Sequence, residues 1–157
     1  MIPKKELCKT CTIENGCGYI YETKDCRKTF HFVKKIGIDI HHVIDADPQF
    51  FSILTQDLIF MGWEVHILTG PPKEKALKEL SLWNIRFTHL FSIADYHVTN
   101  GTQINYDENG NPWMDKEIWD RTKGDYCARE SILLHIDDTE RYQKYFKTHF
   151  CLFRGKG

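Results

Sequence analysis

A chain of 157 residues that is 41% hydrophobic and 13% aromatic is long and apolar enough for one buried core with a small appendage, which excludes wholesale disorder. No apolar run approaches the roughly 20 residues of a membrane-spanning helix. The formal net charge is −1, but residues 1–35 carry eight Lys/Arg against four Asp/Glu and the remainder thirteen against eighteen, so a basic start precedes an acidic body. That asymmetry favours an anionic partner, and ordinary solvated surface charge accounts for it about as well.

The start Met1-Ile2-Pro3-Lys4-Lys5-Glu6 has no apolar segment behind it. A secretory signal is therefore not expected, and the expected location is cytoplasmic, with the cysteines reduced. Four of the six cysteines crowd this region as Cys8-x2-Cys11-x5-Cys17-x8-Cys26. Clustered thiols in a reducing compartment suit zinc better than disulfides, and a structural zinc takes about four ligands. Cys8 and Cys11 have the spacing of half such a site. Cys17 and Cys26 supply the other half without a second short spacing, and His31 is a substitute ligand. The alternatives are free thiols in a loose arm or a redox pair at Cys8 and Cys11. Four thiolates around Zn²⁺ add roughly two negative charges, which weakens a nucleic-acid reading built on the charge of this arm. Short strands are expected at Tyr19–Tyr21 and Thr29–Val33, and the boundary falls near residue 33. This leaves a cysteine-rich appendage at 1–33 and a main domain at 34–157.

The main domain opens with Lys35-Ile36-Gly37-Ile38-Asp39-Ile40, an apolar run that buries its isoleucines and holds Asp39 near its end. Asp47-Pro48 then reads as a helix start, with an apolar stripe of Phe50, Leu54, Leu58 and Met61, Phe51 and Ile53 beside them, and a stop at Gly62. Trp63–Leu68 is a second strand ending in Thr69-Gly70. Pro71-Pro72 opens a helix to about Trp83 with Ala76, Leu77 and Leu80 inward, and Thr88–Ile93 is a third strand. Residues 94–121 interrupt the pattern with a hairpin around Asp107–Asn111 and the start of a helix, which carries a possible break at Gly124 and runs to Ser131. Ile132–Ile136 is a fourth strand ending in Asp137-Asp138. A short helix over Thr139–Lys147 and a fifth strand at His149–Phe153 close the chain. Strands alternating with helices imply an α/β fold with a parallel sheet, whose chemistry gathers at the carboxyl edge.

At that edge an aspartate can bind a divalent cation or attack phosphorus. Asp137 and Asp138 can complete a Mg²⁺ shell with Asp39. The Thr69 hydroxyl, the Gly70 backbone N–H and a lysine can neutralise phosphoryl oxygens. Lys123, fourteen residues before Asp137, can reach back over the edge, with Lys116 as a rival.

The order Asp39-x-x-x-Val43, Thr69 after an apolar strand, Lys123 and Asp137-Asp138 resembles the haloacid dehalogenase superfamily of phosphohydrolases over residues 34–155. The resemblance implies a Rossmann-like three-layer α/β/α sandwich. It implies Asp39 as nucleophile and Mg²⁺ ligand, Thr69 and Lys123 as phosphoryl-binding groups, and Asp137 and Asp138 at the metal. The family's phosphatases usually carry a second aspartate two residues after the nucleophile as acid and base. Here that position is His41, whose backbone carbonyl can still ligate Mg²⁺ and whose ring can carry a proton. One helix between the first two strands leaves no room for a large cap, so an open site is expected that suits a large substrate or an exposed phosphate; a phosphoprotein would fit, and a nucleotide or polynucleotide phosphate is preferred. The alternative is a weak or inactive relative that binds protein or nucleic acid through the cysteine-rich arm.

Protein purified without added zinc is expected to hold about one zinc per chain that a thiol-blocking reagent releases. Elemental analysis that finds no such zinc would remove the cysteine site.

Overall fold

The computed structural model describes residues 33–155. The expected zinc ligands Cys8, Cys11, Cys17, Cys26 and His31 lie outside the described residues, as do the short strands expected before Val33. The main unit is Lys34–Gly157. Its elements in chain order are β1 (Lys35–Asp39), α1 (Pro48–Phe60), β2 (Glu64–Thr69), α2 (Lys73–Leu82), β3 (His89–Ser92), α3 (Ile93–Thr99), β4 (Asn105–Tyr106), β5 (Pro112–Trp113), α4 (Lys116–Arg129), β6 (Leu134–Asp137), a 3₁₀ segment (Glu140–Tyr145) and β7 (His149–Leu152). No helix among the described residues is long and apolar enough to cross a membrane.

The expected α/β architecture is present. Five strands form one parallel sheet in the order β3-β2-β1-β6-β7, and β4-β5 form a separate antiparallel hairpin. Side chains alternate across a strand, so β1 serves both faces. Ile36 and Ile38 join Val65 and Ile67 of β2 in a core with Phe51 and Leu58 of α1 and Ala76 and Leu80 of α2. Leu68, Phe91, Ile93, Tyr126, Cys127 and Ile132 form the second core, beneath α4. Gly37 and Asp39 have the opposite parity to the isoleucines and belong to that second face. Gly37 is required there, because a Cβ would stand 2.6 Å from Nδ1 of His135, its partner on β6.

Helix α1 starts as expected. The Asp47 carboxylate accepts the Phe50 N–H at 3.0 Å, and Pro48 occupies the first turn. Its inward face is rotated from the expected stripe. Phe51, Thr55 and Leu58 are buried with Leu54 beside them, while Phe50, Ile53 and Met61 are exposed. Leu77, expected inward on α2, is exposed as well. Apolar residues surround most of α1, so periodicity alone does not choose between neighbouring faces.

Three further differences lie in the second half. The third strand ends at Ser92, and a helix not expected from the sequence follows, capped by the Ser92 hydroxyl accepting the Asp95 N–H at 3.1 Å. Helix α4 passes through Gly124 without a break. That glycine serves a close approach: a Cβ there would stand 2.5 Å from the Tyr145 carbonyl oxygen of the 3₁₀ segment. The short helix expected over Thr139–Lys147 is this narrower 3₁₀ segment.

An alanine in a helix interior ordinarily stabilises by about 1 kcal/mol over glycine. Gly124→Ala is instead expected to destabilise by about 1–3 kcal/mol, the cost of overpacking. Urea denaturation decides the sign, and a more stable variant would contradict the tight α4 packing.

Candidate active site

The sheet register brings two carboxylates together. Ile38 pairs with Ile67 of β2 and with Ile136 of β6, so Asp39 and Asp137 each stand one residue further on, at adjacent strand ends. Both have the parity of the α4 face, and Lys123 of α4 reaches between them. Its Nζ lies 2.8 Å from Asp39 Oδ1 and 2.7 Å from Asp137 Oδ2, with all three residues buried. Asp138 completes the group: a carboxylate oxygen from each of Asp39, Asp137 and Asp138 lies within 4.8 Å of the others. Three carboxylates of this kind form an oxygen-rich donor set that fits a hard cation such as Mg²⁺.

The electrostatics follow from two carboxylates sharing one ammonium. Burial raises the Asp39 pKa above the usual carboxylate range, and the nearby Asp137 charge adds to this against the pull of Lys123. Burial acts the same way on Asp137, but Lys123 and the His135 ring outweigh it and hold that carboxyl well below its ordinary value. Burial would lower the Lys123 pKa; the two aspartates overcome it and keep the ammonium charged. Its Nζ also lies 5.4 Å from the centroid of the Tyr142 ring.

The structure adds partners that the motifs did not single out. His135 Nε2 is 3.1 Å from Asp137 Oδ2, and the backbone N–H of Thr139 donates to Asp137 Oδ1 at 2.9 Å. The His135 ring is stacked on Phe146 and fills the space that Gly37 leaves open. The signal was His135-x-Asp137, two same-face positions on a strand, opposite a glycine. Asp138 accepts the Thr139 hydroxyl at 3.1 Å rather than capping the following segment through a backbone N–H.

The other expected residues divide. Thr69 ends β2 beside this edge and is fully buried, and its hydroxyl has no hydrogen-bond partner among the described residues. A buried hydroxyl without a partner costs free energy, which an incoming polar group would recover. The Gly70 carbonyl accepts the Ala94 N–H at 3.1 Å, and the Trp119 ring packs against its Cα. His41 is half-exposed and directs its ring to Glu79 of α2, with Nε2 3.6 Å from Oε2. Lys116, the rival lysine, is exposed and paired with Asp120. Trp113 stands exposed on β5. Residues Ile40–Ile44 turn sharply after β1, with His42 at φ 58°, and the Asp45 N–H donates back to Ile40 O at 3.1 Å. Beyond that turn, His42, Asp45, Asp138, Phe153 and Arg154 line an open cleft of about 440 Å³.

No family model, no curated protein and no solved structure matches this chain.

Removing the Lys123 charge leaves two buried carboxylates uncompensated. Lys123→Met is expected to destabilise by about 3–5 kcal/mol, and adding Asp39→Asn in that background to recover part of the loss. Denaturant unfolding of the single and double variants measures both effects; an unchanged midpoint in Lys123→Met would contradict the buried cluster.

Proposed function

We propose that residues 34–157 form a Mg²⁺-dependent phosphomonoesterase of the haloacid dehalogenase type, with a Rossmann-like three-layer α/β/α sandwich. The reading rests on Lys123 standing between Asp39 and Asp137, with Asp138 beside them. Two strand ends and one helix thereby supply a nucleophile, cation ligands and a positive charge within one small volume.

Asp39, Asp137, Asp138 and the His41 backbone carbonyl would hold the metal. Bound Mg²⁺ supplies the positive charge that lets a carboxylate approach a phosphate. Asp39 attacks phosphorus, the ester P–O bond breaks, and the alcohol leaves with a proton from His41. His41 then takes a proton from water, the water oxygen attacks phosphorus, and release of inorganic phosphate regenerates the Asp39 carboxylate. Thr69, the Gly70 N–H and Lys123 stabilise charge on the phosphoryl oxygens. The unpartnered Thr69 hydroxyl is consistent with this role. His41 must leave Glu79 to face the leaving group.

The segment at 94–121 adds only the seven-residue α3, a hairpin of two-residue strands and the first turns of α4. Such a small cover suits a large or exposed phosphate, and a nucleotide or polynucleotide phosphate is the preferred substrate class. A second reading is a catalytically weak or inactive protein that binds protein or nucleic acid through its cysteine-rich arm. The engagement of His41 with Glu79 favours it.

Hydrolysis of an aryl phosphate separates the two. The native protein is expected to turn over with Mg²⁺, to stop with chelator, and to lose turnover as Asp39→Asn. His41→Ala is expected to lower the rate by about 10²-fold or more, and His41→Asp to retain or raise it. Equal hydrolysis by native protein and Asp39→Asn would exclude the enzyme reading and leave the binding role.

A further inference from the structure

The opposite edge of the sheet carries a second cluster of metal-ligating residues. Glu64 opens β2, His66 follows two positions later on the same face, and His89 opens β3 directly beside His66. One carboxylate oxygen of Glu64 and one ring nitrogen of each histidine lie within 4.8 Å of one another. His66 Nε2 is 3.2 Å from Glu64 Oε2. The rings of His66 and His89 are stacked, with centroids 4.3 Å apart.

The hydrogen bonds around His89 prepare it as a ligand, and those around His66 can be rearranged to do so. The Thr88 hydroxyl donates to the Val65 carbonyl at 3.0 Å, so its oxygen accepts from His89 Nδ1 at 3.0 Å. His89 Nδ1 therefore carries the hydrogen and Nε2 the lone pair. His66 Nδ1 lies 2.8 Å from the Tyr126 hydroxyl. With Nε2 on a metal, Nδ1–H donates to that hydroxyl, the kind of outer partner that ligating histidines keep.

We propose that Glu64, His66 and His89 bind a Zn²⁺ ion at the amino edge of the sheet, leaving a fourth coordination position open. Two imidazoles and one carboxylate suit zinc, whereas Mg²⁺ and Ca²⁺ prefer all-oxygen sites. Binding requires three local changes. The hydrogen that His66 Nε2 donates to the Glu64 carboxylate moves to Nδ1, and the Tyr126 hydroxyl turns from donor to acceptor. Lys35, 3.2 Å from Glu64 Oε2, gives up that oxygen, and the exposed His89 ring turns out of its near-parallel stack so that both lone pairs converge. The bland alternative is a buried histidine satisfied by Glu64 and Tyr126, with His89 merely stacked on it. That alternative requires no metal.

The site lies away from the Asp39 edge, so its test does not depend on phosphatase activity. Zn²⁺ is titrated calorimetrically into the full-length native protein, His89→Ala and Glu64→Gln, two positions that are not fully buried. The native protein is expected to bind one equivalent more than either variant, or to bind that equivalent at least tenfold more tightly. With Co²⁺, the difference spectrum between native protein and His89→Ala is expected to show ligand-field bands without thiolate charge transfer, which separates this site from the cysteines. Equal stoichiometry and affinity in all three proteins, or a thiolate band in the difference spectrum, would overturn the proposal.

Discussion

One buried ammonium between two buried carboxylates organises the carboxyl edge of this sheet. Lys123 is held by Asp39 on one side and Asp137 on the other, and neither aspartate reaches water freely. Burying such charges costs several kcal/mol per ion, and mutual pairing compensates only when the geometry is good. The fold supplies that geometry from rigid elements: two adjacent parallel strands in fixed register and a helix packed across their face. Gly124, next to Lys123, lets α4 approach the 3₁₀ segment closely enough to hold the lysine at this depth. Burial raises the Asp39 pKa and the Asp137 charge adds to it, while the excess of one negative charge makes the group receptive to a cation.

The parity of β1 connects core and site. Its isoleucines fill the core under α1 and α2, while Gly37 and Asp39 turn to the α4 side. A one-residue slip in register would exchange these faces and bury Asp39 in the aliphatic core. The alternation that stabilises the sheet therefore also places the carboxylate. The same face continues through His135 and His66, so polar side chains run beneath α4 from one sheet edge towards the other. Aromatic partners accompany them: Phe146 stacks on His135, and Tyr126 bonds to His66.

Much of this was legible in the sequence because strand ends mark themselves. The five strands, their parallel arrangement and the meeting of Asp39, Asp137 and Asp138 follow from apolar runs that stop in polar residues. Lys116 and Lys123 both lie on the same predicted helix, and only the packing of α4 separates an exposed lysine from a buried one. His135 was legible only in part, since its role depends on the space over Gly37, a contact between separate strands. The direction of His41 depends on the backbone turn after β1, which apolar periodicity does not encode. Helix α3, at seven residues, is too short to display a helical period, although Ser92-x-x-Asp95 marks its start. Gly124 reads locally as a helix break, whereas its tertiary role is contact with Tyr145.

In the proposed reaction Asp39 accepts a phosphoryl group. The most direct measurement exposes the protein to a small phosphoryl donor such as acetyl phosphate with Mg²⁺, reduces it with borohydride, and maps the product by mass spectrometry. An acyl phosphate on Asp39 would be reduced to the side chain of homoserine, and that change is expected at Asp39 and only with Mg²⁺. An unmodified Asp39 under conditions where the protein hydrolyses the donor, or modification at a different carboxylate, would contradict it.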